Sequence, residues 1–275
     1  MAKEQNMAVH NDSGMILTLD VGNTHIKTAV FQGESLVQYW RLNTNTASTS
    51  DEIGLTLVSL FKHNGLFTED INGIILSSVV PSINFTLEHM CQTYFSTDPM
   101  IVAPGIRTGI NIKYENPREL GSDRIANAVA AYSIYGGPCI FIDFGTATTF
   151  GVVSEKAEFI GGAICPGIKL SSEALVTSAA KLPRVELVKP ESAIGKTTVT
   201  NMQAGIYYGY VGLVNHIIAK MKAELQKPGV RVIATGGLSR LISADTNAID
   251  IIDGLLTLKG LRIIYERNVG LDTTT

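Results

Sequence analysis

Two stretches decide the fold: ILTLDVGNTHIKTAVF at residues 16–31 and IFIDFGTATTFGVV at residues 140–153. In the first, the apolar run Met15–Leu19 reads as a short strand that ends at Asp20. The turn Val21-Gly22-Asn23 follows, and Thr24–Phe31 reads as a second strand. Its alternation puts Ile26, Thr28 and Val30 on one face and His25, Lys27 and Ala29 on the other. In the second stretch, Cys139–Ile142 is an apolar strand ending at Asp143, Phe144-Gly145-Thr146 is the turn, and Thr148–Val153 is the return strand. The two aspartates lie 143 − 20 = 123 residues apart. One Asp-x-Gly-[Asn/Thr] is an ordinary turn. Two copies, each ending an apolar strand and opening a polar hairpin, predict an α/β chain built from a duplicated domain with a cleft between the halves.

Working outward, Leu36–Leu42 fits a third strand and 43–50 a Thr/Ser/Asn-rich loop. Asp51 is placed to cap a helix carrying Ile53, Leu57, Leu60 and Phe61 at helical spacing. Ile74–Val80 is a buried strand, and Pro81-Ser82 opens a helix through Cys91 and Phe95. In the second half, Glu158–Ile160 is a third strand. Asn201–Lys222 is a long helix with Ile206, Val211, Val214, Ile218 and Met221 on its apolar side. Val230–Ala234 is a further strand, and Leu255–Leu258 with Leu261–Tyr265 forms a last apolar segment, helical at its end. Residues 1–14 read as a flexible extension, 15–118 as the first domain and 119–275 as the second.

Composition narrows the partners. The 275 residues are 45% hydrophobic and 17% charged, which is globular rather than disordered. Lys and Arg number 22 against 25 Asp and Glu, a formal charge of −3, so no basic excess is available to a nucleic-acid backbone. Cys91, Cys139 and Cys165 form no CxxC pair and read as free thiols in a reducing compartment, which fits the cytoplasm. The first apolar run is broken by Asp20, and no run is long enough to cross a bilayer.

The chemistry follows from the turns. No GxGxxG opens a βα unit, and HExxH and GxSxG are absent. GAICPGIK at 162–169 misses the P-loop pattern, because no Gly-Lys-Ser/Thr closes it. In Asp20-Val21-Gly22-Asn23-Thr24, glycine admits a phosphate to the backbone, while Asn23 and Thr24 add donors. Asp20 repels phosphate directly but suits Mg²⁺ or its waters. Lys27 either meets a phosphate oxygen or lies solvated. Gly145, Thr146, Thr148 and Thr149 supply donors at the second turn, and Asp143 is its cation-facing carboxylate. Thr235-Gly236-Gly237, after an apolar strand, either seats a flat ring such as adenine or is a plain strand-to-helix turn. Asp123, in Gly121-Ser122-Asp123-Arg124 before the Ala-rich IANAVAAY helix, either caps that helix or, kept ionised, accepts a hydroxyl proton during phosphoryl transfer. Arg124 has the fork to grip a substrate carboxylate.

The set DVGNTHIK, ENPRELGSDRIANA, IDFGTATTF, GGAICPGIKL, IGKTT and TGGLS closely resembles type III pantothenate kinase, in the same order and over most of the chain. The resemblance implies ribonuclease H-like, actin-like ATPase domains of the acetate and sugar kinase/Hsp70/actin superfamily. It also implies phosphorylation of pantothenate by ATP to 4′-phosphopantothenate, the first step of coenzyme A synthesis. Carried over by position, Asp20, Val21, Gly22, Asn23, Thr24, His25, Ile26, Lys27 and Thr146 contact ATP. Asp123 accepts the proton. Tyr114, Gly121, Ser122, Asp123, Arg124 and Thr198 shape the pantothenate pocket, and Asp143 ligates a monovalent cation, K⁺ or NH₄⁺, beside Mg-ATP. A homodimer with the pocket near the subunit interface is implied as well. The chain departs from the family at Gly151, where Asp is frequent. A kinase for another small hydroxy compound and a non-catalytic nucleotide-binding regulator are the competing readings.

Overall fold

The computed structural model describes residues 14–269, so the expected extension lies, apart from Gly14, outside the described residues. The first half runs β1 (Met15–Val21), β2 (His25–Gln32), β3 (Ser35–Asn43), α1 (Ser50–His63), β4 (Ile71–Ser78), α2 (Asn84–Phe95), β5 (Met100–Ile101), β6 (Asn111–Ile112) and α3 (Ser122–Tyr135). The second runs β7 (Cys139–Phe144), β8 (Ala147–Val153), β9 (Glu158–Pro166), α4 (Ile168–Ser178), α5 (Thr198–Leu225), β10 (Arg231–Gly236), α6 (Ser239–Ser243), β11 (Ile251–Ile252) and α7 (Leu256–Val269).

Sheet order establishes the duplication. The first sheet is β3-β2-β1-β4-β5; the second, written from the other edge, is β6-β9-β8-β7-β10-β11. In both, the first three strands are antiparallel neighbours, and the fourth and fifth join in parallel beside the first. The parallel joins require crossover connections, which the helices supply. The fold is therefore a duplicated ribonuclease H-like α/β pair, with β6 added at the far edge of the second sheet.

The layers follow from strand alternation. One face of β1 and β4 (Leu17, Leu19, Ile74, Leu76) packs under α1 and α2. One face of β7, β8 and β10 (Ile140, Ile142, Phe150, Val232) packs under α5. The inner faces of both sheets share one core with α3 and α7, from Ile16, Phe31 and Ile75 to Phe141, Phe159 and Ile233. The two helices cross closely: a Cβ added at Gly260 would lie 1.9 Å from the Ala126 carbonyl oxygen. α7, at the end of the second half, lies on β1 and β4 of the first sheet. α3 follows the strands of the first sheet, although the boundary expected at 118/119 assigns it to the second domain; it lies on β7 and β8 of the second sheet and also touches β4 of the first. The halves are thus interlocked by exchanged helices.

Several elements differ from expectation. The cap of α1 is Thr49, not Asp51. Thr49 and Glu52 form a reciprocal capping box, and Asp51 sits in the first turn. α5 begins at Thr198 and runs to Leu225, 28 residues in all, because Thr197 and Thr200 cap it. The last apolar segment is one continuous helix from Leu256. β9 continues past Ile160 to Pro166, which places Gly162–Pro166 of GAICPGIK on a strand.

Candidate active site

Both Asp-x-Gly turns open onto one cleft. The first connects β1 to β2 through Gly22-Asn23-Thr24, closed by Gly22 N–H donating to the His25 carbonyl at 3.0 Å. The second connects β7 to β8 through Gly145-Thr146 and is one residue shorter. Thr24 Oγ1 and Thr146 Oγ1 lie 3.1 Å apart, so the tips meet. α4 props the second turn, with Gly167 N–H donating to the Thr146 carbonyl at 3.1 Å.

Asp20 is buried at the end of β1 and pairs across the ladder with Lys27, whose Nζ is 3.1 Å from Asp20 Oδ2. Burial alone would lower the Lys27 ammonium, but Asp20 and Asp143 outweigh it and raise it well above its ordinary value. Lys27 therefore stays charged between the two repeated carboxylates. Asp143 accepts from Asn127 Nδ2 at 3.5 Å through Oδ2, while its buried Oδ1 has no partner among the described residues. Burial, with Asp20 adding repulsion, pushes Asp143 above the usual carboxylate range against the opposing pull of Lys27 and Asn127. Gly236 gives this carboxylate room: at φ +91° it approaches so closely that a Cβ would lie 2.7 Å from Asp143 Oδ1. The Thr235-Gly236-Gly237 turn thus adjoins the second Asp-x-Gly turn.

The cleft mouth is cationic. His25 is held below its ordinary value by burial and by Arg41, Lys27 and Lys169. Arg41 sits opposite Lys27 on β3, and Lys169 lies in the first turn of α4. Sequence reasoning missed both. Lys169 was visible in GAICPGIK, whereas Arg41 reaches the site only through the β2–β3 register. Val21 and Ile26 belong to the outer core, so they offer a ligand backbone only. Thr148 is buried, and its hydroxyl contacts Tyr210, which also donates to the Pro166 carbonyl at 2.9 Å. It is therefore not a free phosphate donor.

Asp123 occupies the first turn of α3 and accepts the Arg124 N–H at 2.8 Å. Burial first, then Asp20 and Asp143, push it up to about 6 against the pull of Arg124, so it feels both repeated aspartates. Ser122 anchors the turn to the first sheet: it accepts from Ser77 at 2.8 Å and donates to the Ser78 carbonyl at 3.2 Å. Arg124 turns the other way and is buried, with its guanidinium 5.8 Å from the Tyr114 ring centre and 5.5 Å from that of Phe159. It donates to the Tyr114 hydroxyl at 3.5 Å and the Phe150 carbonyl at 3.4 Å, but Nε has no partner. No carboxylate pairs with it among the described residues. A cavity of about 690 Å³ opens beside Gly121 and Ser122, lined by Val79, Asn84, Val102 and Ile106. Thr198 is elsewhere: it starts α5 and lines an open groove against α4 with Leu175, Met202 and Ile206. No hydrogen bond links it to Asp123 or Arg124 among the described residues.

The family model of type III pantothenate kinase matches residues 16–220. Among solved structures, one from Campylobacter jejuni, described as a candidate Baf family transcriptional activator, is similar at a TM-score of 0.60 and 20% identity, covering 93% of this chain and 100% of that one. The (R)-2-hydroxyglutaryl-CoA dehydratase component A of Acidaminococcus fermentans is similar at a TM-score of 0.50 and 13% identity, covering 92% and 97%. These likenesses bear on the fold.

Proposed function

The chain belongs to the type III pantothenate kinase family, and on that premise we propose that it transfers the γ-phosphoryl group of ATP to the hydroxyl of pantothenate, giving 4′-phosphopantothenate for coenzyme A synthesis. One observation carries the substrate. Adjacent residues at the start of α3 supply two complementary groups: the Asp123 carboxylate, which feels both Asp20 and Asp143, and the Arg124 guanidinium, which lies against Tyr114 with no acidic side chain paired to it among the described residues. A substrate with a hydroxyl at one end and a carboxylate at the other satisfies both. Asp123 accepts the hydroxyl proton as the oxygen attacks phosphorus, and Arg124 holds the carboxylate.

On the nucleotide side, Gly22, Asn23, Thr24 and Thr146 offer donors to the phosphates. Lys27, Arg41 and Lys169 offset their charge. Mg²⁺ brought with ATP would neutralise charge between the phosphates and Asp20. The residues also fit a monovalent cation, since Asp143 Oδ1 is buried and unpartnered. No group of three or more His, Cys, Asp or Glu side chains clusters as a metal site among the described residues, so such an ion would take its remaining ligands from phosphate, backbone or water. A cytoplasmic homodimer completes the reading. No helix among the described residues is long and apolar enough to cross a membrane.

The test is ADP release from Mg-ATP with pantothenate and with a panel of sugars and hydroxy acids. Release that depends on pantothenate is expected. Release with a sugar alone would move the assignment to another acceptor, and MgADP binding without any turnover would favour the regulator.

A further inference from the structure

Helices from the two halves meet at Asn127 on α3 and Thr257 on α7. Thr257 Oγ1 donates to Asn127 Oδ1 at 2.8 Å, and Asn127 Nδ2 lies 3.5 Å from Asp143 Oδ2. Asn127 is wholly inaccessible and Thr257 nearly so, so neither group can satisfy itself with water. An amide has one accepting and one donating end. With Oδ1 taken by the Thr257 hydroxyl, the donating end faces the carboxylate. The reverse orientation would set Oδ1 against Asp143 Oδ2, oxygen to oxygen without a proton between them. At 3.5 Å the Asn127–Asp143 contact is weak alone, so its direction is fixed from behind, by Thr257.

We propose that Asn127, locked by Thr257, is a positioning residue for phosphoryl transfer: by holding Asp143 Oδ2 it fixes the orientation of the carboxylate at the end of β7, beside the second turn, with Oδ1 kept buried against Gly236. Gly236 bounds the carboxylate on the β10 side, where no side chain fits. The arrangement also joins the halves. α7 rests on the first sheet, which carries Asp20, while Asp143 belongs to the second. A shift of the α3–α7 crossing therefore moves Asp143 relative to Asp20, and the Asn127–Thr257 bond resists that shift.

The inference rests on the reading of the cleft as a nucleotide site, and the test separates the two. Full-length wild type, Thr257→Val, Thr257→Ser and Asn127→Asp are compared for kcat, for ATP and pantothenate KM, for thermal midpoint and for calorimetric MgADP binding without pantothenate. Thr257→Val keeps shape but removes the lock. Loss of one buried hydrogen bond corresponds to about a five- to tenfold effect, expected in kcat and in MgADP affinity with pantothenate KM unchanged. Thr257→Ser restores the hydroxyl and recovers most of both, while its thermal midpoint stays close to that of the Val variant. Asn127→Asp sets a second carboxylate against Asp143 and falls further, by about 100-fold. Wild-type behaviour of Thr257→Val in both kcat and MgADP affinity, or equal losses in Val and Ser, overturns the inference. Failure of the wild type itself to bind MgADP removes the underlying nucleotide reading.

Discussion

Thr24 and Thr146 face each other across the cleft with hydroxyl oxygens 3.1 Å apart, although each belongs to a different copy of the duplicated hairpin. Two hydroxyls can share one hydrogen bond, and a phosphate oxygen between them would replace it with two. On the proposed reading, the cleft parts slightly to admit a triphosphate, and both residues are expected to grip the same group. Thr24→Val and Thr146→Val are each expected to raise the ATP KM several-fold. Because the second loss follows the first, the double variant should fall short of the product, with a coupling of roughly 0.5–1 kcal/mol. Strict additivity in a double-mutant cycle would show that the turns act on different phosphates.

Asp123 sets the pH response. Its carboxyl is raised from 3.8 to about 6 by burial and by Asp20 and Asp143, so the folded state binds the proton more tightly than the unfolded chain. The group therefore favours folding most below about pH 4, and that contribution declines as pH rises toward 6. In its proposed role as proton acceptor it must be ionised, so kcat/KM is expected to rise with pH through about 6. Asp123→Asn should lower kcat by about 10²–10⁴-fold. The same change should make the protein more stable than wild type at pH 7, by roughly 1–3 kcal/mol. Near-normal turnover in a folded Asn variant would reduce Asp123 to a helix-cap residue.

Much of this was legible in the sequence, for identifiable reasons. The apolar run, Asp and Gly of each turn are local features, so the two hairpins and their aspartates follow from residues 16–31 and 140–153. The short strands β5, β6 and β11 carry two residues each and have too little pattern to detect. α4 was missed because GAICPGIK runs from strand into helix without a polar break. Arg41, Asn127 and Thr257 reach the site through register and helix crossing, which no local spacing encodes. Thr148 was misjudged as a free donor because its partner, Tyr210, lies 62 residues away.

Gly151, the departure from the family pattern, has a packing cause. It pairs with Phe141 across β7 and β8, and a Cβ there would lie 2.1 Å from the Phe141 ring. The ring fills the space that a side chain at 151 would need. Gly151→Ala is expected to cost about 1–3 kcal/mol through overpacking. Chemical denaturation should also show that Phe141→Leu recovers part of that loss. Independent, additive effects of the two changes would mean that the ring moves aside freely.

Asp143 carries the cation prediction. Its unpartnered Oδ1 and the phosphates would both be stabilised by a nearby cation. Activity is expected to require Mg²⁺ and to rise when K⁺ or NH₄⁺ replaces Na⁺ at constant ionic strength. Asp143→Ala should remove both the response and most of the turnover. Equal rates in Na⁺ and K⁺ at fixed Mg²⁺ would leave no selective monovalent site.

Thr198 makes the strongest case for a shared site. The resemblance implies a place for it in the pantothenate pocket, yet within one chain it starts α5 beside a groove of about 670 Å³ against α4. Leu175, which lines that groove, is 44% exposed, and Leu170 and Val199, next in sequence to the lining residues Ser171 and Thr198, are exposed as well. That much exposed apolar surface calls for a covering partner. A two-fold dimer would cover it and would bring Thr198 of one subunit toward Asp123 and Arg124 of the other. Sedimentation should show a dimer, and Leu175→Arg should give monomers that bind MgADP but do not phosphorylate pantothenate. Complementation is the sharper measurement. Asp123→Asn and Thr198→Ala are each expected to be impaired alone. A re-equilibrated mixture creates hybrid dimers in which one site has Asp123 from one chain and Thr198 from the other. Half the dimers are hybrids and each regains one of two sites, so roughly a quarter of wild-type activity should return. A mixture no more active than the average of its components would place Thr198 in its own subunit's site or outside the reaction altogether.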